Sequence, residues 1–204
     1  VRAGAGMVID GTNLFVICCG IGEGVGDDPI TRIDTTSGEA AVIARVDWPS
    51  AAAYGHESLW VGPYITHRVV RLNPTTGDQI AEIELPDGIV SDIAVTDDSI
   101  WVASATALIQ IDPSSNLVID ALDVPGAEIP GVDVQIEERA DGLLWIYGQH
   151  FQPFLLQPAT RTTIARMEAS PDSVDSTEQG LSLNSTERGL VTTDGGTVAI
   201  LNDD

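Results

Sequence analysis

The sequence predicts an all-β fold, a β-propeller of four-stranded antiparallel blades with about five blades visible. Three observations predict it. A phrase of short strands and turns, SLWVGPYITHRVVRLNPTTGDQIAEIELPDG from Ser58 to Gly88, returns as SIWVASATALIQIDPSSNLVIDALDVPG from Ser99 to Gly126. The centres of the second strands, Phe15, Trp60, Trp101, Trp145 and Val191, are spaced 41 to 46 residues apart, a period that with four short strands each is that of propeller blades. No window carries an apolar stripe at helical spacing, and the segments are β-branched and bounded by Gly, Pro, Asn and Asp, which excludes a helical solenoid of similar period.

The first unit reads AGMVID, a turn at Asp10-Gly11-Thr12-Asn13, LFVICC, a glycine-rich loop, ITRID, the turn TTSG and AAVIARV. The second begins at AAAY with a turn at Gly55-His56-Glu57, and the third at SDIAV with a turn at Thr96-Asp97-Asp98. The fourth runs VDVQIEE, a turn at Ala140-Asp141-Gly142, LLWIYG, PFLLQ, PATR and TIARMEA; the fifth has GLSLN, a turn at Glu187-Arg188-Gly189, LVTT and TVAILND. The blades are expected near 4–49, 50–88, 89–129, 130–173 and, incomplete, 174–204, within one domain. Each aromatic at a second-strand centre is expected to pack as an apolar plate on the neighbouring blade. Asp34, Asn73 and Asp112 enter the third-to-fourth-strand turns, where their side chains can accept backbone N–H groups two or three residues on.

The fifth unit lacks a fourth strand. Val1-Arg2-Ala3 aligns with the tail of one, so the chain is either a ring closed by this short strand or a segment of a larger propeller. Three residues cannot satisfy a whole sheet edge, so the edge at Thr197–Leu201 is expected to take a strand or blades from outside the chain, or a protein partner.

Composition narrows the function. The 204 residues carry nine basic side chains, all arginine, against 31 acidic ones, a formal charge of −22. Such a field repels phosphate backbones and anionic bilayers, so no nucleic-acid partner is expected, and it attracts cations and basic partners. Without lysine there is no Schiff base, Walker lysine or Ser-Lys dyad. No apolar run is long enough for a membrane-spanning helix, and no signal peptide is visible.

The strings SLWV…VVRLNPTTGDQIAEIELPDG and SIWVA…LIQIDPSSNLVIDALDVPG resemble the YVTN/NHL-like propeller repeats of bacterial extracytoplasmic proteins, and the likeness covers nearly the whole chain. It implies an extracellular, cell-surface or periplasmic setting; the acidic surface alone also suits the cytoplasm of a halophile. The streptogramin B lyases have similar repeats. They read LWFTE at the second strand, where this chain has LWVGP, IWVAS and LWIYG, and their His and Glu metal-binding arrangement has no clear counterpart here.

Ligand contacts in a propeller come from the loops of one face and from the channel. The loops between second and third strands place Glu23, Tyr64, His67 and His150 as a candidate ligand-binding face. The loop Gly20–Pro29 resembles a phosphate cradle in its glycines, but its three carboxylates would repel phosphate and no helix follows. Glu23, Asp27 and Asp28 offer hard oxygen ligands for Ca²⁺ or another divalent cation, although the EF-hand order is absent and a surface loop is the simpler reading. The adjacent Cys18 and Cys19 encode no disulfide framework; they are two small apolar residues at a strand end or, alternatively, a vicinal redox or soft-metal pair. No serine sits in a nucleophile elbow, and no catalytic residue is singled out. The reading from sequence is a non-enzymatic binding, sensing or assembly module. The alternatives are a metal-dependent lyase or hydrolase using His67, His150 and acidic loop residues, and a structural subunit that completes a ring or polymer with other chains.

Overall fold

The computed structural model describes residues 6–17, 28–64, 66–86, 88–104, 106–124, 134–148 and 151–166, together with the backbone of 183–186 and 189–192. Those residues form four antiparallel sheets of four strands and one hairpin. Blade 1 is β1 (Gly6–Asp10), β2 (Asn13–Ile17), β3 (Asp28–Asp34) and β4 (Ala40–Val46). Blade 2 is β5 (Pro49–Gly55), β6 (Ser58–Pro63), β7 (Arg68–Leu72) and β8 (Gln79–Glu84). Blade 3 is β9 (Asp92–Val95), β10 (Ile100–Ala103), β11 (Ala107–Asp112) and β12 (Leu117–Asp123). Blade 4 is β13 (Val134–Glu138), β14 (Leu144–Gly148), β15 (Phe154–Gln157) and β16 (Thr162–Arg166), and β17 (Leu183–Thr186) pairs with β18 (Gly189–Thr192). No helix occurs among the described residues. The fold is an all-β propeller. The fifth unit's third strand and the edge at 197–201 lie outside the described residues.

Within each blade the strands run in order from inside to outside, and the first strands β1, β5, β9 and β13 neighbour one another in turn. One end of the molecule therefore carries the first-to-second and third-to-fourth strand turns. The other carries the second-to-third strand loops and the connections between blades. We call these the turn end and the loop end.

The core lies between the sheets. Phe15, Trp60 and Trp101 are wholly buried, and Trp145 is 2% exposed. Phe15 packs with Leu59, Val61 and Val70 of blade 2. Trp60 packs with Ile93, Ile100 and Val102 of blade 3, and Trp101 with Val134, Ile136 and Leu144 of blade 4. The plate role expected of these aromatics holds.

The outer turns behave as the sequence implies. Asp34 Oδ1 accepts from the backbone N–H of Thr36 and Ser37, and Asn73 Oδ1 from those of Thr75 and Thr76, all at 2.8–3.0 Å. Asp112 takes the Ser114 N–H and the hydroxyls of Ser114 and Ser115 at 2.7–2.8 Å. Four residues after each acid or amide the backbone turns left-handed, at Gly38, Gly77 and Asn116, and its N–H returns to the carbonyl of residue 34, 73 or 112. Gly77 has a second constraint: a Cβ there would strike the Ile43 carbonyl of blade 1, so this turn is pressed against the preceding blade.

A polar clasp repeats at each seam. The third-strand residue paired with the plate aromatic reaches the outer turn of the next blade. Arg32, opposite Phe15, donates to the Thr75 carbonyl at 3.3 Å. Arg71, opposite Trp60, donates to the Pro113 carbonyl at 2.6 Å and to Asn116 Oδ1 at 2.8 Å, with its guanidinium 4.7 Å from the Trp60 ring centre. Gln110, opposite Trp101, accepts from Arg161 Nε at 3.0 Å. Closer to the axis, the Ser50 hydroxyl lies 2.7 Å from the Val90 carbonyl, and that of Ser91 2.7 Å from the Val134 carbonyl.

Two substitutions check this packing. Trp101→Ala should cost about 3–5 kcal/mol through the cavity it leaves, lowering Tm by roughly 6–20 °C; a change within error would mean the plate is not part of the core. Gly77→Ala should lower Tm well beyond Gly11→Ala, because both glycines are left-handed (φ +77° and +55°) but a methyl at 11 meets open space. Equal shifts in thermal melts would show that the backbone angle alone matters and that the seam yields freely.

Candidate functional site

Two surfaces bring chemistry-bearing side chains together. The first is the inner concavity, a cavity of about 690 Å³ lined by the first strands of all four blades. Its walls carry Met7, Ile9, Tyr54, His56, Asp97, Glu137 and Glu138. Period-two alternation sends every second residue of these short strands to one flank. His56 and Glu57 both have positive φ (48° and 55°), the backbone of a two-residue hairpin turn. The turn sets His56 Nε2 3.0 Å from the Thr96 carbonyl of the next blade, so Nε2 carries the proton. The corresponding carbonyl in blade 2, Gly55, accepts instead from Trp60 Nε1 at 3.1 Å, whereas Trp101 Nε1 is buried with no partner among the described residues.

Negative charge gathers here. Asp92 sits in the seam between blades 3 and 4, its Oδ1 accepting from the Ile93 N–H and its Oδ2 from the Ile136 N–H, each at 2.9 Å. Burial pushes its carboxyl up to about 6 despite those two donors, and Glu137 adds to the rise. Glu138 is raised by burial and then by Asp97, and the Tyr147 phenol by burial and then by Asp92 and Glu137. The wall is thus a field that attracts cations. Among the described residues no three His, Cys, Asp or Glu side chains converge as metal ligands.

The second surface is at the loop end of blade 2. Tyr64 follows β6 and is 47% exposed. His67 precedes β7, exposed and with φ 44°, and its carbonyl accepts from the Leu85 N–H at 2.8 Å. Trp48, between β4 and β5, is 40% exposed with φ 47°, and its carbonyl accepts from the Tyr64 N–H at 2.7 Å. A left-handed tryptophan directly before a proline is strained by the order of 1–3 kcal/mol. The Thr66 Oγ1 and Arg68 Nε atoms, on either side of His67 in sequence, are buried without a partner among the described residues. The arrangement presents two flat amphipathic rings on a fixed backbone.

Of the residues chosen from sequence, Tyr64 and His67 fall on one surface, flanking the same loop. Glu23, Asp27, His150, Cys18 and Cys19 lie outside the described residues. Asp28 corrects its expected place: it is not a loop residue but the first of β3, opposite Val46 and 8% exposed, because the ladder starts two residues before the β-branched run. The sequence reading missed Trp48, whose signal was an aromatic standing outside the plate spacing, and Asp92, Glu137 and Glu138, which carry no spacing signal.

No protein-family model matches the sequence, and no curated protein does. Solved structures do match in fold. Hydrazine synthase of Kuenenia stuttgartiensis superposes with a TM-score of 0.65 at 18% identity, over 81% of this chain and 49% of that one. A Bacteroides caccae protein of unknown function gives 0.56 at 19%, over 82% of this chain and 68% of that one. Glutaminyl cyclase of Myxococcus xanthus gives 0.53 at 12%, over 74% and 71%. The likeness is one of fold. The chain spans about half the length of the hydrazine synthase chain it matches.

Asp92 allows a pH test. Its folded value lies above the ordinary carboxylate value of 3.8, so between about pH 4 and 6 the folded state holds more protons than the unfolded one, and stability falls as pH rises through that window. Asp112, held at about 2 by the hydroxyls and N–H of Ser114 and Ser115, acts oppositely, losing stability only as pH falls below the ordinary value. Urea melts should show a falling component between about pH 4 and 6 in the native chain and none in Asp92→Asn. An unchanged profile in the variant would remove Asp92 as its source.

Proposed function

We propose that this chain is a non-enzymatic propeller module that binds a ligand or protein partner at its loop end, through Trp48, Tyr64 and His67, in an extracytoplasmic setting. The observation that carries the reading is the pair of exposed aromatic rings joined through the backbone bond from Tyr64 to Trp48. Tyrosine and tryptophan are the side chains that anchor interfaces, because they offer wide contact area at little entropic cost. The formal charge of −22 selects a partner with basic side chains, and arginine stacks on such rings as Arg71 does on Trp60. The partner class is therefore a basic, arginine-bearing segment.

Trp48 is the one exposed tryptophan of four, so it reports binding directly. Titration with a short arginine-containing peptide should give a saturable fluorescence change that survives in part at about 0.15 M salt, where exposed charges are strongly screened. Trp48→Ala and Tyr64→Ala should each weaken binding about tenfold, the size of a contact worth ~1.4 kcal/mol, with Tm unchanged. A response that never saturates, or that salt abolishes equally in all three proteins, would mean diffuse charge attraction and refute the site.

A further inference from the structure

Blades 2, 3 and 4 bury one set of positions against the blade before them. On the second strand Leu59 and Val61, Ile100 and Val102, and Leu144 and Ile146 are wholly buried. Blade 1 has equally apolar residues in the same register, Leu14 and Val16, yet both are only partly buried. The contrast is larger on the first strand: Ile93 and Ile136 are 5% and 6% exposed, while Met7, at the same register, is 73% exposed. Ile9, two residues on, is 66% exposed. This flank has the residue types of an inter-blade face, and among the described residues no sheet lies on it.

The clasp says what fits there. The outer turns of blades 2, 3 and 4 each receive a polar contact from the third strand of the blade before, from Arg32, Arg71 and Gln110. The turn of blade 1, Asp34 to Gly38, has the same side-chain cap and left-handed fourth step as the receiving turns at 73–77 and 112–116. We propose that the open flank of blade 1 is the docking surface for one further propeller blade, carrying an aromatic plate on its second strand and an arginine or glutamine opposite it on its third.

Blade 4 does not meet that description, since Leu155 stands opposite Trp145 and has no group to donate. In the sequence of the fifth unit the corresponding residue is Ile200, two before Asn202 as Arg71 is two before Asn73. A second copy of the chain offers only these same faces and brings a further −22 of charge. An arginine-bearing blade supplies both the missing donor and charge of the complementary sign.

Met7 is the probe. Its thioether is oxidised by peroxide at a rate set by exposure, read by mass spectrometry of the peptide containing it. In the 204-residue chain alone, Met7 should oxidise within about twofold of its rate in urea. In the assembly isolated from its own cells it should be at least tenfold slower, in a species containing one copy of this chain. Protection in the chain alone would mean that its own fifth repeat closes the flank, protection only in a species with two copies would mean self-association, and rapid oxidation in the native assembly would mean a bare face. Each overturns the proposal. Met7→Asp needs no probe: in the native assembly it should lower Tm as far as Ile93→Asp does at the same register, and a neutral effect also refutes a covered flank.

Discussion

A single four-stranded sheet of this kind cannot bury either of its faces, and that constraint governs the rest of the structure. Each blade holds apolar residues on both sides, so it is stable only between two others. The aromatic plates answer the constraint on one face, where Trp60 and Trp101 lie wholly buried against the following blade. Small residues on that same face let the next blade approach closely. Gly55 and Gly62 have space only for hydrogen where Val95 and Val90 of blade 3 press on them. Large on one side and small on the facing side is how sheets interdigitate without voids.

The polar clasps solve a problem that apolar packing leaves open. Two apolar faces can slide, and a shift along the strands would still bury comparable area. Arg71 removes that freedom. It meets the Ser58 hydroxyl and the His56 carbonyl in its own blade, and the Pro113 carbonyl and Asn116 in the next, so four hydrogen bonds from one planar group hold the seam in one geometry. A lysine could not span these partners with a fixed planar fork. The all-arginine composition, met first as a bare count, thus has a structural use at three successive seams through Arg32, Arg71 and Arg161.

Much of this was legible in the sequence because it repeats. The plate positions, the hairpin turns and the caps at Asp34, Asn73 and Asp112 recur with the blade period, and periodic need leaves a periodic trace. The clasp repeats too, but as Arg, Arg and Gln, a set joined by reach across the seam and invisible without knowing which residues face it. Asp28 was misplaced because a strand that opens with Asp-Pro lacks the apolar alternation by which strands are recognised. The candidate sites were the least legible part. Trp48 serves one blade only, and Asp92 corresponds to Ala51 and Gln135 in its neighbours, so neither leaves a pattern to find.

The two surfaces that depart from the repeat are therefore the informative ones, and they lie on different parts of the molecule. Met7 is exposed where Ile93 and Ile136, at the same register of blades 3 and 4, are buried, which is a departure in surroundings with the apolar character kept. Trp48 and Tyr64 are a departure in residue type, placed at the loop end where the blades' packing demands nothing of them. An apolar residue retained at an interface register reports the ring that it belongs to. A strained aromatic that the repeat does not share is the kind of outlier from which a functional hypothesis starts. On the roles proposed above, the flank serves assembly and the loop end recognition. A propeller can serve both at once, since one uses the faces of its sheets and the other the ends of its strands.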